Sequence, residues 1–461
     1  MGGSTACLPE RSSSCPSRGP PSLHDGDHAS TAACRGDRRV ANVILRSRLI
    51  APLIVAVAAL VFVQYARIWI DAQPLARTSD FAGTYAAATL WREGHSTELY
   101  SPAAEEGVLA QTGTPVSHLD IPFENPPAAA VVAAPFSVLD SATAYRVWAW
   151  LQLALVIAAV VIVARAAPWP ERTSRWVKAA IGATALVGFG TAALWVEGQW
   201  DGLSVLGLAL MYAGWRADRR LLAGLALGVT SAIAKPHLVV GLIAFVAVRR
   251  DWRVLAGAAG GAAGTLLVSL ATVGSAGVTA FASVVFTPAY SPATQMQSAN
   301  GLFGSWLGPT QAAYLLASLA ALVAVAAASA LAVWTRRRSD LFEPALAGAV
   351  ALSLFASPHL LSHDLTMLAP ALVFGLAWLA REESWRGSPW PGPASLTVIA
   401  SWVAVSLASQ RDLGNSTLAP PGRLTPLALL VLAALWGAIA RRERAAPLLR
   451  SGVMHVPHHA A

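Results

Sequence analysis

Charged residues are scarce in this sequence. Only 13% of its 461 residues are Asp, Glu, Lys or Arg, and 55% are hydrophobic, whereas about 25% of residues are charged in ordinary soluble domains. A chain with so little charge is poorly suited to a surface that faces water on all sides. The composition therefore argues against a soluble domain and predicts a polytopic membrane protein.

Cysteines and the common cofactor motifs are also scarce. Cys7, Cys15 and Cys34 lie in a polar N-terminal tail and have neither metal-site nor disulfide-framework spacing. The sequence has no P-loop, no G-x-G-x-x-G after a predicted strand and no H-E-x-x-H, so we expect no cofactor and no metal. Lys and Arg outnumber Asp and Glu by 33 to 25, but no basic tract carries interleaved aromatic residues. We therefore expect no nucleic-acid partner.

Apolar runs, by contrast, recur along the chain. Twelve are present, several of them shorter than the roughly 17 to 25 residues of an ordinary transmembrane helix. They predict an all-α polytopic membrane protein with about 12 transmembrane helices. The runs are residues 49–70, 142–163, 179–196, 203–215, 221–234, 236–248, 254–273, 311–334, 344–356, 365–379, 396–407 and 427–440.

These runs define one membrane domain over residues 49–440. Residues 1–48 are rich in Ser, Gly, Pro and Arg and bury too little apolar surface to fold, which predicts a disordered cytoplasmic tail. Residues 441–461 form a second predicted cytoplasmic tail. The first run lacks an A-x-A-like cleavage site, so we expect a retained helix rather than a signal peptide. Residues 71–125 then form a long first extracytoplasmic loop.

Arginine is concentrated in alternate loops, which is typical of the cytoplasmic side of a membrane protein. The resulting topology places the N-terminus inside and requires that residues 126–140 do not cross the membrane. Their dozen apolar residues suit a re-entrant or interfacial helix. The predicted cytoplasmic clusters include Arg165, Arg175 and Lys178, then Arg216, Arg219 and Arg220, then Arg249, Arg250 and Arg253, then Arg336, Arg337 and Arg338, and finally Arg441 and Arg442.

On this topology, several polar and ionisable side chains fall on the outer face. An ionisable group at membrane depth costs about 2.5 to 3.5 kcal/mol on insertion scales, so such groups are candidate functional residues. They are Asp80 and Tyr85 at the start of the long loop, Glu124 near its end, Glu197 and Gln199 between two spans, Lys235 and His237 at a hairpin tip, and His359 and His363 between two later spans.

Two interpretations stand for each of the central charges. Asp80 precedes an Ala-rich helical run, where Asp is a common helix N-cap, or it is the carboxylate of a site. Lys235 extends to the outer interface, or it binds an anion. Pro236 suits the first position of a helix, and a cation beside a helix N-terminus favours a ligand such as phosphate.

The histidines also allow two interpretations. His359 and His363 are four residues apart, as metal ligands on a helix often are, but Pro358 precedes them and no H-E-x-x-H pattern accompanies them. We expect them to hydrogen-bond a sugar, a phosphate or a carboxylate rather than a metal.

Taken in order, these motifs resemble glycosyltransferase family 87. Two positions depart from the family pattern, with Leu361 in place of an aromatic residue and Asp201 in place of Asn. The motifs that carry the resemblance are D-F-x-x-x-Y from Asp80, G-H-S-T-E-L-Y from Gly94, the Pro-Pro pair at Pro126, G-Q-W-D-G-L from Gly198, A-K-P around Lys235 and S-P-x-x-x-x-H ending at His363.

The resemblance implies a GT-C membrane fold at the plasma membrane, with its active site on the extracytoplasmic side. It also implies a polyprenyl-phosphate sugar donor, in particular mannose, and a glycolipid or glycan acceptor. Asp80 is then the general base of a single inverting displacement, with His363 beside it. The expected substrate-binding residues are Lys235, His237, His359, Gln199, Glu197, Glu124 and Tyr85.

Two other functions remain compatible with the sequence. Similar proteins transfer arabinofuranose from decaprenyl phosphate, and nothing in the sequence excludes that donor. A lipid or solute transporter would also place charges within the membrane. Against a transporter, the spans show no internal repeat, and the loop of residues 71–125 has no counterpart in the second half of the chain.

Overall fold

The computed structural model describes residues 50–72, 79–113, 123–171, 173–286, 295–385, 391–414 and 423–442. The N-terminal tail with its cysteines and nearly all of the predicted C-terminal tail lie outside this part. The described residues are 84% helical and contain no strand. The all-α fold class is therefore confirmed.

Seventeen α-helices follow one another in the described residues, and each of the twelve predicted apolar runs coincides with helix. They are α1 (Ile50–Asp71), α2 (Phe81–Arg92), α3 (Pro102–Gln111), α4 (Pro127–Ala133), α5 (Ser141–Ala166), α6 (Arg175–Leu186), α7 (Phe189–Glu197), α8 (Asp201–Arg216), α9 (Arg220–Ile233), α10 (Val240–Val248), α11 (Trp252–Phe286), α12 (Ala299–Leu307), α13 (Gln311–Thr335), α14 (Phe342–Ala356), α15 (Leu368–Trp385), α16 (Pro393–Gly414) and α17 (Thr425–Arg442).

Local sequence signals set several of the helix starts. Ser101, Asp140, Ser174 and Thr310 each precede a helix, and the side chain of each accepts a hydrogen bond from the backbone N–H three residues later. These bonds satisfy donors that the first helical turn leaves without an intrahelical partner. The four helices therefore begin where their capping residues lie in the sequence.

Seven helices of the described part are long and apolar enough to cross a membrane, or eight if the bent pair α6 and α7 forms one span. Four further apolar helices are shorter, at 10 to 17 residues. The run 179–196, predicted as a single span, is in fact two helices bent by 56°. The break occurs at Gly188, whose backbone is extended and whose Cα faces the ring of Trp402 at a distance that leaves no room for a side chain.

Helices α9 and α11 pack closely because both present glycine to the contact. A Cβ atom on Gly228 would lie 2.1 Å from the carbonyl oxygen of Ala258, and one on Gly257 would lie 2.1 Å from that of Leu221. Gly224 and Gly228 are four residues apart, as are Gly257 and Gly261. This small-residue spacing lets two helix backbones approach directly within a membrane.

Basic residues gather at one end of the helix bundle. Helix α8 begins at Asp201 and ends about 24 Å away at Arg216, so the two ends of this helix mark two ends of the molecule. At the Arg216 end, three arginines make buried or partly buried polar contacts. Arg216 forms an ion pair with Glu343 at 3.4 Å, Arg220 forms one with Asp251, and Arg249 donates to the carbonyl oxygen of Thr335 at 3.1 Å.

The short apolar segment Pro127–Val138 enters and leaves at the opposite, Asp201 end of the bundle. Just before it, the Asn125 amide donates to the carbonyl oxygen of Ala234, 2.9 Å away. Just after it, the carbonyl oxygen of Leu139 accepts a hydrogen bond from the Tyr85 hydroxyl at 2.9 Å. The segment therefore returns to the end at which it began, as a re-entrant helix does.

Candidate active site

Four distant parts of the chain meet at the Asp201 end of the bundle. They are the start of α2, the turn between α7 and α8, the connection between α9 and α10, and the 3-10 helix Ser362–Met367 that precedes α15. Each part contributes an ionisable or amide side chain. The sequence placed these groups on one face of the membrane, and the fold brings several of them into contact.

The core of the site is a cluster of four buried residues, Asp201, Lys235, His363 and Asp364, called the charge cluster below. The Lys235 ammonium lies 2.7 Å from Asp364 Oδ1, 3.2 Å from Asp201 Oδ2 and 3.1 Å from His363 Nδ1. His363 Nδ1 also lies 2.9 Å from Asp201 Oδ2. Two carboxylates therefore share one ammonium and one imidazole nitrogen.

These four side chains are almost completely removed from solvent. Asp201 and Asp364 are 0% exposed, His363 is 3% exposed and Lys235 is 7% exposed. A buried charge is tolerated only when an opposite charge and hydrogen bonds compensate it, and the four residues supply this compensation for each other. Even so, Asp201 Oδ1 and His363 Nε2 have no hydrogen-bond partner among the described residues.

Asp80 lies at the edge of the charge cluster. It occupies the N-cap position of α2, but in the described part its side chain makes no capping hydrogen bond. Its Oδ2 atom instead accepts a hydrogen bond from the Gln199 amide and lies 3.7 Å from His363 Nε2. The Asp80 side chain is 20% exposed, against 4% for His363. Asp80 is therefore more exposed to solvent than the carboxylates of the charge cluster.

The turn that presents Gln199 and Asp201 is held in place by two aromatic side chains. Helix α7 ends at Gly198, whose φ of 63° lies in the left-handed region that favours glycine. Trp148 Nε1 donates to the Gly198 carbonyl oxygen at 2.8 Å, and the Tyr145 hydroxyl donates to that of Val196 at 2.6 Å. Both aromatic residues belong to α5, which fixes the turn against the rest of the bundle.

A second group of predicted residues, Glu124, His237 and His359, lies beside the charge cluster and is called the second group below. His359 Nδ1 is 3.9 Å from a Glu124 carboxylate oxygen, and the rings of His237 and His359 are 5.7 Å apart. His237 Nε2 is buried without a hydrogen-bond partner in the described part of the chain. Because Asn125 binds the carbonyl of Ala234, this second group is fastened to the segment that carries Lys235.

Other predicted residues are positioned differently. Glu197 is close to Asp80, since its carboxylate accepts a hydrogen bond from the Asp80 backbone. Tyr85 uses its hydroxyl to join α2 to Leu139, away from the charge cluster. Trp195 and Trp200, which flank Glu197 and Gln199 in the sequence, are each 1% exposed and pack within the core. Neither ring is a surface on which a sugar can stack.

Asp201 and Asp364 are the site residues that sequence reasoning missed. Asp201 lies within the G-Q-W-D-G-L motif and Asp364 directly follows the S-P-x-x-x-x-H motif, but a carboxylate in or beside a motif gives no sign of its partner. Asp364 also stabilises local structure, since its Oδ2 accepts the backbone N–H of Leu361 at 2.6 Å. Only the approach of Lys235 from another segment reveals their role as counter-ions.

Asp201, His363 and Asp364 also have the donor set of a possible metal site, with donor atoms within 4.8 Å of one another. The Lys235 ammonium, however, lies within 3.2 Å of an atom of each of these residues. A fixed positive charge at that position repels a second cation. The arrangement therefore suits an ammonium counter-ion rather than a metal ion.

The long loop has a buried carboxyl group of its own. Glu105 in α3 accepts the backbone N–H of Phe123 at 3.1 Å and is 3% exposed. Burial raises the pKa of this carboxyl to about 8. The contact fixes Phe123, and with it the neighbouring Glu124 of the second group.

Residues 123–358 match the sequence model of glycosyltransferase family 87. The match covers just over half of the chain. The chain belongs to glycosyltransferase family 87. No curated protein and no solved structure matches it. Within the family match lie the α7–α8 turn and Lys235, whereas Asp80 and His363 fall outside its two ends. This chain is therefore a membrane glycosyltransferase, with a charged site built by the fold at one end of its helices.

Proposed function

We propose that this glycosyltransferase moves a mannosyl residue from a polyprenyl-phosphate donor to a hydroxyl of a glycolipid or glycan, with Asp80 as the general base. The observation that carries the proposal is the position of Asp80. It starts a helix without capping it, it contacts Gln199 and faces His363, and it remains partly exposed. A carboxylate held in this way suits proton abstraction from an incoming hydroxyl.

The proposed site faces the extracytoplasmic side of the plasma membrane. Arg216, Arg220 and Arg249 lie at the opposite end of the helices from Asp201. Cytoplasmic loops carry an excess of arginine and lysine, so the basic end is assigned to the cytoplasm. A lipid-linked sugar phosphate is a donor available on the outer side, where nucleotide sugars are absent.

The proposed reaction is a single displacement with inversion at the anomeric carbon. The acceptor oxygen attacks that carbon and its proton passes to Asp80, while the bond between the anomeric carbon and the phosphate oxygen breaks. The lipid phosphate leaves with the negative charge. A positioned general base contributes roughly a factor of 10² to 10⁴ to such a step. Gln199 holds Asp80 Oδ2, which leaves the other carboxylate oxygen for the acceptor.

The donor phosphate is assigned to the second group rather than to Lys235 alone. Lys235 is 7% exposed, and two carboxylates already bind its ammonium, so it offers little free charge to a phosphate. His237 and His359 lie next to it and carry ring nitrogens able to donate hydrogen bonds. Glu124, Glu197 and Gln199 supply acceptors and a donor for the hydroxyl groups of the sugar.

Purified protein in lipid vesicles provides the test. The protein receives polyprenyl-phosphate mannose with a membrane glycolipid extract, and the released polyprenyl phosphate and the mannosylated product are measured. Polyprenyl-phosphate arabinose replaces the donor in a parallel reaction. Turnover of polyprenyl-phosphate mannose to a product with the inverted anomer would support the proposal. Turnover of polyprenyl-phosphate arabinose alone would identify arabinose as the donor sugar instead. Translocation of either lipid without any product would contradict the enzymatic role.

A further inference from the structure

We propose that Asp201 is a positioning residue that keeps His363 doubly protonated, so that His363 presents an N–H to Asp80. The inference rests on the proposed role of Asp80 as the base. It assigns to Asp201 a function that goes beyond pairing with Lys235. The argument depends on the two faces of the His363 ring and on the number of charges around it.

Both ring nitrogens of His363 face carboxylate oxygens. Nδ1 lies 2.9 Å from Asp201 Oδ2, and Nε2 lies 3.7 Å from Asp80 Oδ2. The Lys235 ammonium also lies 3.1 Å from Nδ1, so a neutral ring with its proton on Nε2 would accept a hydrogen bond from Lys235 at Nδ1. Only the imidazolium has a donor on each nitrogen and can donate to Asp201 Oδ2, which lies nearer to Nδ1 than the ammonium does. The shorter contact with Asp201 therefore favours the charged ring.

The number of buried charges leads to the same conclusion. In the charge cluster, Asp201 and Asp364 bring two negative charges and Lys235 brings one positive charge, all with little or no exposure. A positive His363 balances the cluster. A neutral His363 leaves one uncompensated carboxylate in a buried site, which is strongly unfavourable. The ionisable groups that face this region from the surrounding elements are Asp80, Glu197, Asp201, Lys235, His237, His359 and Asp364.

Asp201 makes the shorter of the two carboxylate contacts with His363 Nδ1, at 2.9 Å against 3.3 Å for Asp364 Oδ1. Both oxygens of Asp364 have closer partners elsewhere, Oδ1 with Lys235 at 2.7 Å and Oδ2 with the backbone N–H of Leu361 at 2.6 Å. Asp201 uses only Oδ2, and its Oδ1 has no partner among the described residues. Removing the charge of Asp201 therefore leaves the Lys235–Asp364 pair intact and takes away the excess negative charge that favours imidazolium.

The direct test reads the protonation of His363 without any substrate. Protein labelled with ¹⁵N-histidine is titrated by NMR, and the His363→Gln variant identifies the signal. At pH 7.5, where a free imidazole of pKa about 6.5 is mostly neutral, wild-type His363 is expected to be doubly protonated. Asp201→Asn is expected to lower its titration midpoint by about one pH unit or more, a tenfold loss of proton affinity. A neutral wild-type His363 at pH 7.5, or an unchanged midpoint in Asp201→Asn, overturns the inference.

A second readout uses activity as a function of pH. On this proposal the charged ring orients Asp80 for proton abstraction, so Asp201→Asn is expected to move the high-pH limb of the rate profile to lower pH by about one unit, with KM unchanged. The control is Asp412→Asn, another buried aspartate, whose carboxylate binds the Thr425 backbone and hydroxyl at the start of α17. It should leave the limb in place.

The two proposals fail in different ways. A charged His363 in an inactive preparation contradicts the proposed donor and leaves the inference standing. A neutral His363 in an active enzyme contradicts the inference alone. If Asp201→Asn does not fold, a neutral His363 in the wild-type protein still overturns the inference.

Discussion

Asp80 Oδ2 lies 3.7 Å from His363 Nε2, although thirteen α-helices of the described part, α2 to α14, lie between the two residues. Gln199 binds the same oxygen of Asp80. The carboxylate is therefore oriented by residues from two other segments rather than by its own helix. A substitution that removes the charge of Asp80 is therefore not expected to disrupt helix α2.

Asp80→Asn is expected to reduce glycosyl transfer by about 10² to 10⁴-fold, the usual contribution of a general base. The substitution keeps the shape of the side chain, and α2 makes no use of it as a cap. Thermal unfolding in detergent should therefore be nearly unchanged. Asp140→Asn is the matched control, because it makes the same substitution at the N-cap of α5, where Asn caps about as well as Asp, and it should keep wild-type turnover. Wild-type turnover by the Asp80 variant would remove Asp80 from the mechanism.

Lys235→Met is expected to destabilise the fold. It leaves the carboxylates of Asp201 and Asp364 buried without their ammonium, and breaking a buried ion pair on one side costs about 3 to 5 kcal/mol. Reversible unfolding in mixed micelles measures the loss. Lys178, the only other lysine in the sequence, gives the control, because Lys178→Met removes only a contact with the Trp169 ring at 5.6 Å. Equal stability of the two variants would contradict the buried charge cluster.

Gly228→Ala is expected to separate α9 from α11, because the new methyl group would lie 2.1 Å from the carbonyl oxygen of Ala258. Overpacking of this kind costs about 1 to 3 kcal/mol, which a lowered unfolding midpoint would report. Gly264→Ala tests the same chemistry on the open face of α11, where a Cβ meets no described atom within 4 Å. Only the first variant should lose stability.

Stability is expected to fall as the pH rises from about 4.5 to about 8 because of Glu105. Its pKa is raised from 4.5 to about 8 by burial. In this interval the unfolded chain has released the proton that the folded chain retains, so the folded state loses stability with increasing pH. The full effect is on the order of 5 kcal/mol. Glu105→Gln should remove this part of the pH dependence, measured by unfolding between pH 4 and 9, whereas Glu106→Gln should preserve it.

Much of the helical framework could be predicted from the sequence, because apolar length and arginine placement are local properties. Each predicted run coincides with helix, and the segment Pro127–Val138 has both ends on one side of the bundle. The bend at Gly188 could not be predicted, because it depends on Trp402, a residue of a distant helix.

The composition of the site was only partly predictable. An ionisable residue in an apolar sequence, such as Lys235, is unusual. For this reason Asp80, Lys235 and His363 could be chosen as candidate site residues from the sequence. Asp201 and Asp364 could not be recognised as counter-ions, because their partners approach from other segments. The burial of Trp195 and Trp200 in the core could not be read from the sequence either, because an aromatic residue has the same local signature in a core and in a binding pocket.

The Asp201–Lys235 contact also bears on how the chain enters the membrane. The two residues stand at the free ends of one helical hairpin, α8 and α9, only 34 positions apart. They can therefore neutralise each other as soon as this hairpin has been synthesised, long before the ribosome reaches His363 and Asp364. Lys235 can thus enter the membrane already paired with Asp201 rather than as an unpaired positive charge.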